Sequence, residues 1–213
     1  MTEILSIERD GPDSARAALE RVVGGGNVAV FPADTLYGLA CDPLNAEAIE
    51  RIQEIKGREE GKPSAVMYFS PLALRELVSS LGSRTRDAVG ALLPGPVTLV
   101  VANPQRRYPL ASREDPERLG VRLIEGPLAG VMTPIFQTSA NRAGESAPTR
   151  FGEIDEAILA AVDLGIDGGE LIGAPSTVVD VTGIDVDGGF EVLREGALPT
   201  SDVERRLGPI LAG

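Results

Sequence analysis

Residues 28–40 read VAVFPADTLYGLA, an apolar run that breaks into Pro32, Asp34 and Thr35 and resumes after Tyr37. Residues 28–31 have the length and composition of a short buried strand. Pro32 breaks that run because it brings no N–H to a ladder, and residues 34–37 then set polar groups where the chain turns at a sheet edge. On spacing alone this turn reads equally well as a capped connection or as a ligand site.

The pattern around it alternates helices and strands. Ala15, Ala18, Leu19 and Val22 recur at helical spacing after Pro12-Asp13-Ser14. Gly24-Gly25-Gly26 follows. A phosphate-cradling glycine loop comes after a strand and opens a helix, whereas this triplet does the reverse and reads as a helix stop. Downstream, Asn45 caps a helix carrying Ile49, Ile52 and Ile55 on one face and ending at Gly57. Residues 65–69 and 97–101 read as strands, and residues 71–78 and 84–93 as helices. Residues 121–124, 135–138, 177–181 and 190–193 are further strands, with a helix over 153–162 among them. Strands joined by helices pair in parallel, while Asp187-Gly188-Gly189 between two strands favours an antiparallel hairpin. The two Asp-Gly-Gly triplets, at Asp167 and Asp187, read as independent turns. Ser201-Asp202-Val203-Glu204 has the capping-box pattern of a short closing helix. These elements predict an α/β fold, a mixed sheet with helices packed on it, in a single domain over residues 1–213.

Composition removes more functions than it suggests. The 213 residues contain no histidine, so Ser-His-Asp and Cys-His hydrolysis and His-based metalloprotease chemistry are excluded. Proton transfer falls to carboxylates, Lys, Tyr, water or the substrates themselves. Cys41 is the one cysteine, which rules out an internal disulfide and a multi-cysteine zinc site and reads most simply as a small buried residue. A net charge of −12 argues against a broad nucleic-acid footprint, though a local basic pocket fits within it. The apolar runs fall far short of the roughly 20 residues a membrane span needs, and no secretory signal opens the chain, so a cytoplasmic location is expected.

Three stretches carry candidate chemistry. Lys56, Arg58 and Lys62 bring three cations to the end of a helix, where they suit either a solvated turn or a triphosphate. Thr138-Ser139-Ala140-Asn141, followed by Gly144, Ser146 and Thr149, gathers hydroxyls and an amide at a strand end, a capped turn or a ligand grip. Ser176-Thr177 opens another apolar run with the same two readings.

The segments PADTLYGLACDPLN, IQEIKGR, LLPGPVTLVV, GVRL, QTSANRAGESAPT, PSTVVDVTG and VLREGAL occur in this order between residues 32 and 198. In order and separation they resemble the YrdC/Sua5 family of threonylcarbamoyl-AMP synthases, which make the activated intermediate for a tRNA modification, threonylcarbamoyladenosine. The resemblance implies a twisted, open mixed sheet with flanking helices and a concave, positively charged central cavity. It implies a catalytic set of Lys56, Arg58, Ser139 and Asn141. ATP would meet Arg58, Lys62, Arg118, Asn141, Thr149 and Arg194, and L-threonine would meet Thr35, Met67, Arg122, Ser139 and Ser176. Mg²⁺ would arrive mainly on the ATP phosphates, bicarbonate would be the third substrate, and separate proteins would transfer the product to tRNA. Glu59-Glu60 before Lys62, and Met67 where many members carry a polar residue, depart from the family pattern. They leave a second reading, a nucleotide- or RNA-binding member with another substrate or no synthase activity.

Overall fold

A computed structural model describes residues 1–57 and 63–212. Ten strands of the described residues form one sheet: β1 (Glu3–Ser6), β2 (Ala29–Pro32), β3 (Tyr37–Cys41), β4 (Ala65–Tyr68), β5 (Val97–Ala102), β6 (Arg118–Leu123), β7 (Ile135–Ser139), β8 (Leu164–Asp167), β9 (Thr177–Asp180) and β10 (Glu191–Arg194). Their spatial order is β1-β8-β2-β3-β7-β4-β6-β5-β9-β10, open at both ends. The pairs β1/β8, β2/β8, β4/β6 and β5/β9 are parallel, and the remaining five are antiparallel. The mixed sheet expected from the sequence is therefore present.

Among the described residues eight helices complete it: α1 (Ile7–Asp10), α2 (Pro12–Gly24), α3 (Ala46–Lys56), α4 (Pro71–Ser79), α5 (Ser83–Leu92), α6 (Pro109–Ser112), α7 (Glu156–Ala161) and α8 (Thr200–Ala212). Their ends follow local chemistry. Asn45 accepts from the Ala48 N–H to open α3, and Gly57 closes it in the left-handed conformation at φ 57°. Asp185, distant in sequence, caps α5 by accepting from the N–H groups of Arg84 and Thr85 and from the Thr85 hydroxyl.

Side-chain alternation splits the sheet into two faces. Val28 and Val30 of one register, with Val66, Tyr68, Leu99 and Val121, feed the larger core, where Ile49 and Ile52 of α3, Leu74 and Leu77 of α4, and Leu207 of α8 also pack. Ala29, Phe31, Met67 and Ile135 point the other way and meet Ala18, Leu19 and Val22 of α2 in a smaller core. Helix α2 packs over the β1-β8-β2 end of that second face. Farther along it, Thr98 and Val100 of β5, Gly120 and Arg122 of β6 and Val178 of β9 line an open concavity.

Several expectations change in three dimensions. Pro32 does not break the first strand but is its last residue, paired with Tyr37. This is tolerated because β8 pairs only with Ala29 and Val30, so no neighbour on that side needs a donor at Pro32. The turn over residues 33–36 thus closes a β2/β3 hairpin inside the sheet, at the strand ends rather than at a lateral edge. Strands β1, β3 and β8 were not among the strands expected. The helix over 153–162 narrows to α7, preceded by a 3₁₀ turn at Phe151–Glu153. Helix α8 is 13 residues long and opens one residue before Ser201, with the Glu195 carboxylate accepting from the Thr200 N–H. The two Asp-Gly-Gly triplets are indeed separate turns, each with its Asp side chain accepting from the second Gly N–H.

Candidate active site

The concavity measures about 630 Å³, within the range of small-molecule sites. Its walls come from strand ends that the topology brings together. The β2/β3 turn supplies Thr35, the end of β7 supplies Ser139 and Asn141, β6 supplies Arg118 and Arg122, and the β9/β10 pair supplies Ser176 and Arg194. A bulge between Val192 and Arg194 in β10 places Arg194 opposite Val178, whose neighbour strand carries Thr98.

Arg122 is the deepest charge in the cavity. It is 4% exposed and is bridged to Asp34 by a short contact from its Nη2. Burial pushes the Asp34 carboxyl up and the Arg122 guanidinium down, each against the attraction of the other. Desolvation thus outweighs pairing for both partners. Among the described residues, Arg122 Nε and Asp34 Oδ2 are buried without a hydrogen-bond partner.

The other two arginines differ in how far they are compensated. Arg118 is bridged to Asp180, which also accepts from the Thr182 N–H and hydroxyl, and lies 3.7 Å from Asp115. Arg194 donates to the Ser176 carbonyl at 2.8 Å and has no carboxylate partner among the described residues. It therefore carries the least compensated positive charge of the three.

Backbone ties hold the walls in place. Lys56, 4% exposed, ends α3 with its Nζ under the loop after β7, donating to the carbonyls of Ser139 and, at 2.7 Å, of Asn141. The Ala143 N–H returns to the Lys56 carbonyl. Asn141 spends its amide on the carbonyls of Arg142 and Glu145, fixing the same loop. Tyr37, wholly buried, donates to the Gly169 carbonyl at 2.7 Å and accepts from the Gly168 N–H. Burial pushes its hydroxyl up to about 12, so it serves as a neutral tie and not as a base. The segment it anchors passes over the β2/β3 turn, where the Gly173 N–H donates to the Thr35 carbonyl.

A sequence profile of the Sua5/YciO/YrdC family, described as telomere recombination, matches residues 21–196. The chain belongs to this family. Among its relatives, the putative threonylcarbamoyl-AMP synthase of Methanocaldococcus jannaschii is 27% identical over 190 residues, 88% of each chain. The threonylcarbamoyl-AMP synthase of Pyrococcus abyssi is 30% identical over 194 residues, 87% of this chain and 55% of the relative, so the chain spans about half of that protein. The Sua5/YciO/YrdC fold recurs in P. abyssi Sua5 complexed with L-threonine, with a TM-score of 0.83 at 28% identity over 98% of this chain and 61% of that one. It recurs again in Escherichia coli YciO, with a TM-score of 0.80 at 25% identity over 95% of this chain and all of the other.

Of the residues singled out by the Sua5/YciO/YrdC pattern, Thr35, Arg118, Arg122, Ser139, Asn141, Ser176 and Arg194 meet around one cavity although 159 positions separate the first from the last. Lys56 sits behind it, touching its wall. Two stand apart. Met67 lies on the same face as Arg122, its register partner in β4, but is fully buried in the smaller core and does not line the cavity. Thr149 is outside the lining, and its N–H and hydroxyl both donate to Glu153. Arg58 and Lys62, with Glu59 and Glu60, lie outside the described residues. Sequence reasoning passed over Asp34 and Tyr37 as turn residues and read Thr98 as part of a buried strand. The one available signal for Thr98 was a hydroxyl interrupting the apolar run 97–101.

Proposed function

We propose that this chain is an L-threonylcarbamoyladenylate synthase, converting L-threonine, bicarbonate and ATP to threonylcarbamoyl-AMP and pyrophosphate for tRNA modification. The observation that carries this reading is a buried arginine, Arg122, lining one cavity with the hydroxyl residues Thr35, Ser139 and Ser176, in a fold shared with a Sua5 complexed with L-threonine. A guanidinium suits the carboxylate of an amino acid, and hydroxyls suit its side chain and a carbamate.

The chemistry fits a chain without histidine. The threonine ammonium joins bicarbonate to form N-carboxy-threonine, with loss of water and a proton. The new carboxylate then attacks the α-phosphorus of ATP and expels pyrophosphate. That nucleophile is already anionic, so catalysis rests on positioning and on neutralising phosphate charge, of which orientation alone can account for about 7–11 kcal/mol. Arg194 is the described cation best suited to a phosphate, and Arg58 and Lys62 are proposed to join it. Among the described residues no group of three or more Asp, Glu or Cys is gathered to hold a metal, so Mg²⁺ would take its ligands from the triphosphate. Transfer of the product to tRNA is assigned to separate proteins.

The test is to incubate the protein with ATP, bicarbonate and Mg²⁺, with and without L-threonine, and measure pyrophosphate. Release that depends on L-threonine is expected. Folded protein that releases none would overturn the reading.

A further inference from the structure

Thr98 and Ser176 come from neighbouring strands and reach the cavity with their hydroxyl oxygens 2.9 Å apart. Both are nearly buried, at 8% and 7% exposure. Each hydroxyl has one proton, and the hydrogen bond between them consumes one of the two. Whichever direction it runs, one proton is left over, and the cavity is where it must find an acceptor.

Arg194 decides which one. Its Nη2, already bonded to the Ser176 carbonyl, lies 3.5 Å from Ser176 Oγ, so the cation faces that oxygen's lone pairs. A hydroxyl facing a guanidinium has the stronger-donating O–H of the pair, so an anionic ligand oxygen in the cavity draws the Ser176 proton, and Thr98 is left to donate to Ser176. Thr98 Oγ1 has no second hydrogen-bond partner among the described residues, so its proton is most cheaply satisfied by Ser176. With Thr98 donating and Arg194 alongside, the Ser176 lone pairs are engaged and its own O–H is turned outward.

We infer that Thr98 is a positioning residue of this site: its hydroxyl fixes the Ser176 hydroxyl as a donor toward an anionic oxygen, a carboxylate or carbamate, of the bound ligand. This rests on the amino-acid reading of the cavity above. The backbone supports it. A Cβ on Gly196 would fall 2.1 Å from the Pro175 carbonyl and 2.7 Å from the Ser176 carbonyl carbon, so the chain after β10 presses directly against the segment that presents Ser176. Thr177, next in line, is tied down by donating to the Leu198 carbonyl and accepting from the N–H groups of Gly196 and Leu198. The Ser176 hydroxyl is thus a free torsion on a tied backbone, and Thr98 removes that freedom.

The experiment is calorimetric titration of L-threonine into the wild-type chain and into Thr98→Val, Thr98→Ser, Ser176→Ala and the Thr98→Val/Ser176→Ala double variant, with melting temperatures measured in parallel. Thr98→Val keeps the shape and loses the proton, and it should weaken binding about tenfold, the scale of one hydrogen bond to a charged group. Thr98→Ser should restore binding. The double variant should bind no more weakly than Ser176→Ala alone, a non-additivity that general loosening of the fold does not produce. Wild-type affinity in Thr98→Val, or additive losses in the double variant, overturns the inference while leaving the functional reading intact. Failure of the wild type to bind L-threonine overturns that reading and this inference with it. Should Thr98→Val unfold, Thr98→Ala compared with Thr98→Ser decides the same point.

Discussion

Asp34 and Arg122 form a largely buried ion pair between the β2/β3 turn and strand β6, and among the described residues each keeps one polar atom without a hydrogen-bond partner. Removing both charges from water costs more than a pair at a surface returns, so this contact is poorly explained as a stabilising device alone. It fixes Nη2 of a guanidinium that also lines the cavity.

Asp34→Asn should therefore be strongly destabilising, because it leaves Arg122 buried without a counter-charge. A loss of about 3 kcal/mol is expected in denaturant unfolding. Adding Arg122→Met to it should recover most of that loss while abolishing L-threonine binding. A single variant as stable as the wild type would show that Arg122 is not held by Asp34.

Lys56→Met keeps the buried stem of the side chain and removes the ammonium from beneath the Ser139 and Asn141 carbonyls. The loop after β7 should loosen, with a stability loss of about 1–3 kcal/mol and faster hydrogen exchange at Ala143, whose N–H donates to the Lys56 carbonyl. Unchanged exchange at Ala143 would assign Lys56 to something other than this tie.

Asp185 gives a pH signature. Burial opposes its charge, but the Thr85 hydroxyl and the N–H groups of Arg84 and Thr85 outweigh that, and its carboxyl lies below the ordinary value of 3.8. A depressed carboxyl stabilises the fold above its unfolded value and loses that contribution as pH falls through the folded one. The wild type should exceed Asp185→Asn in stability by about 1 kcal/mol at neutral pH. The difference should close below pH 3.8, and a gap constant with pH in unfolding titrations would contradict the assignment.

Gly196→Ala tests the close approach behind Ser176. Its methyl would meet backbone and not a flexible side chain, so the segment 175–176 must move. Overpacking of this kind costs about 1–3 kcal/mol, and L-threonine affinity should fall together with the melting temperature. An alanine variant with wild-type melting and affinity would show that the two segments separate freely.

The alternating fold was legible because strands and helices write their period into the chain. The capped, glycine-stopped helix α3 and the hairpin before β10 were placed from local chemistry alone. Strands β1 and β8 were not, since Glu3–Ser6 is a partly exposed edge and Leu164–Asp167 is broken by Gly165, so neither has the apolar run of a core strand. The residue types of the cavity were also legible, through their motif context. Their assembly was not. Met67 and Arg122 are register partners in adjacent strands, yet one is sealed in the smaller core with Ile124, Leu128 and Val131 of the segment after β6 while the other opens to the cavity, a difference that only the path of the chain over the sheet decides. The same holds for Asp34, which reads as a turn residue until β6 brings Arg122 against it, and for Thr98, which reads as strand until β9 brings Ser176 alongside. Local sequence determined which elements form and which residues can do chemistry, because propensity, capping and periodicity act over a few residues. Tertiary structure decided which of those residues face one another, because strand order and register join positions that have no relation along the chain.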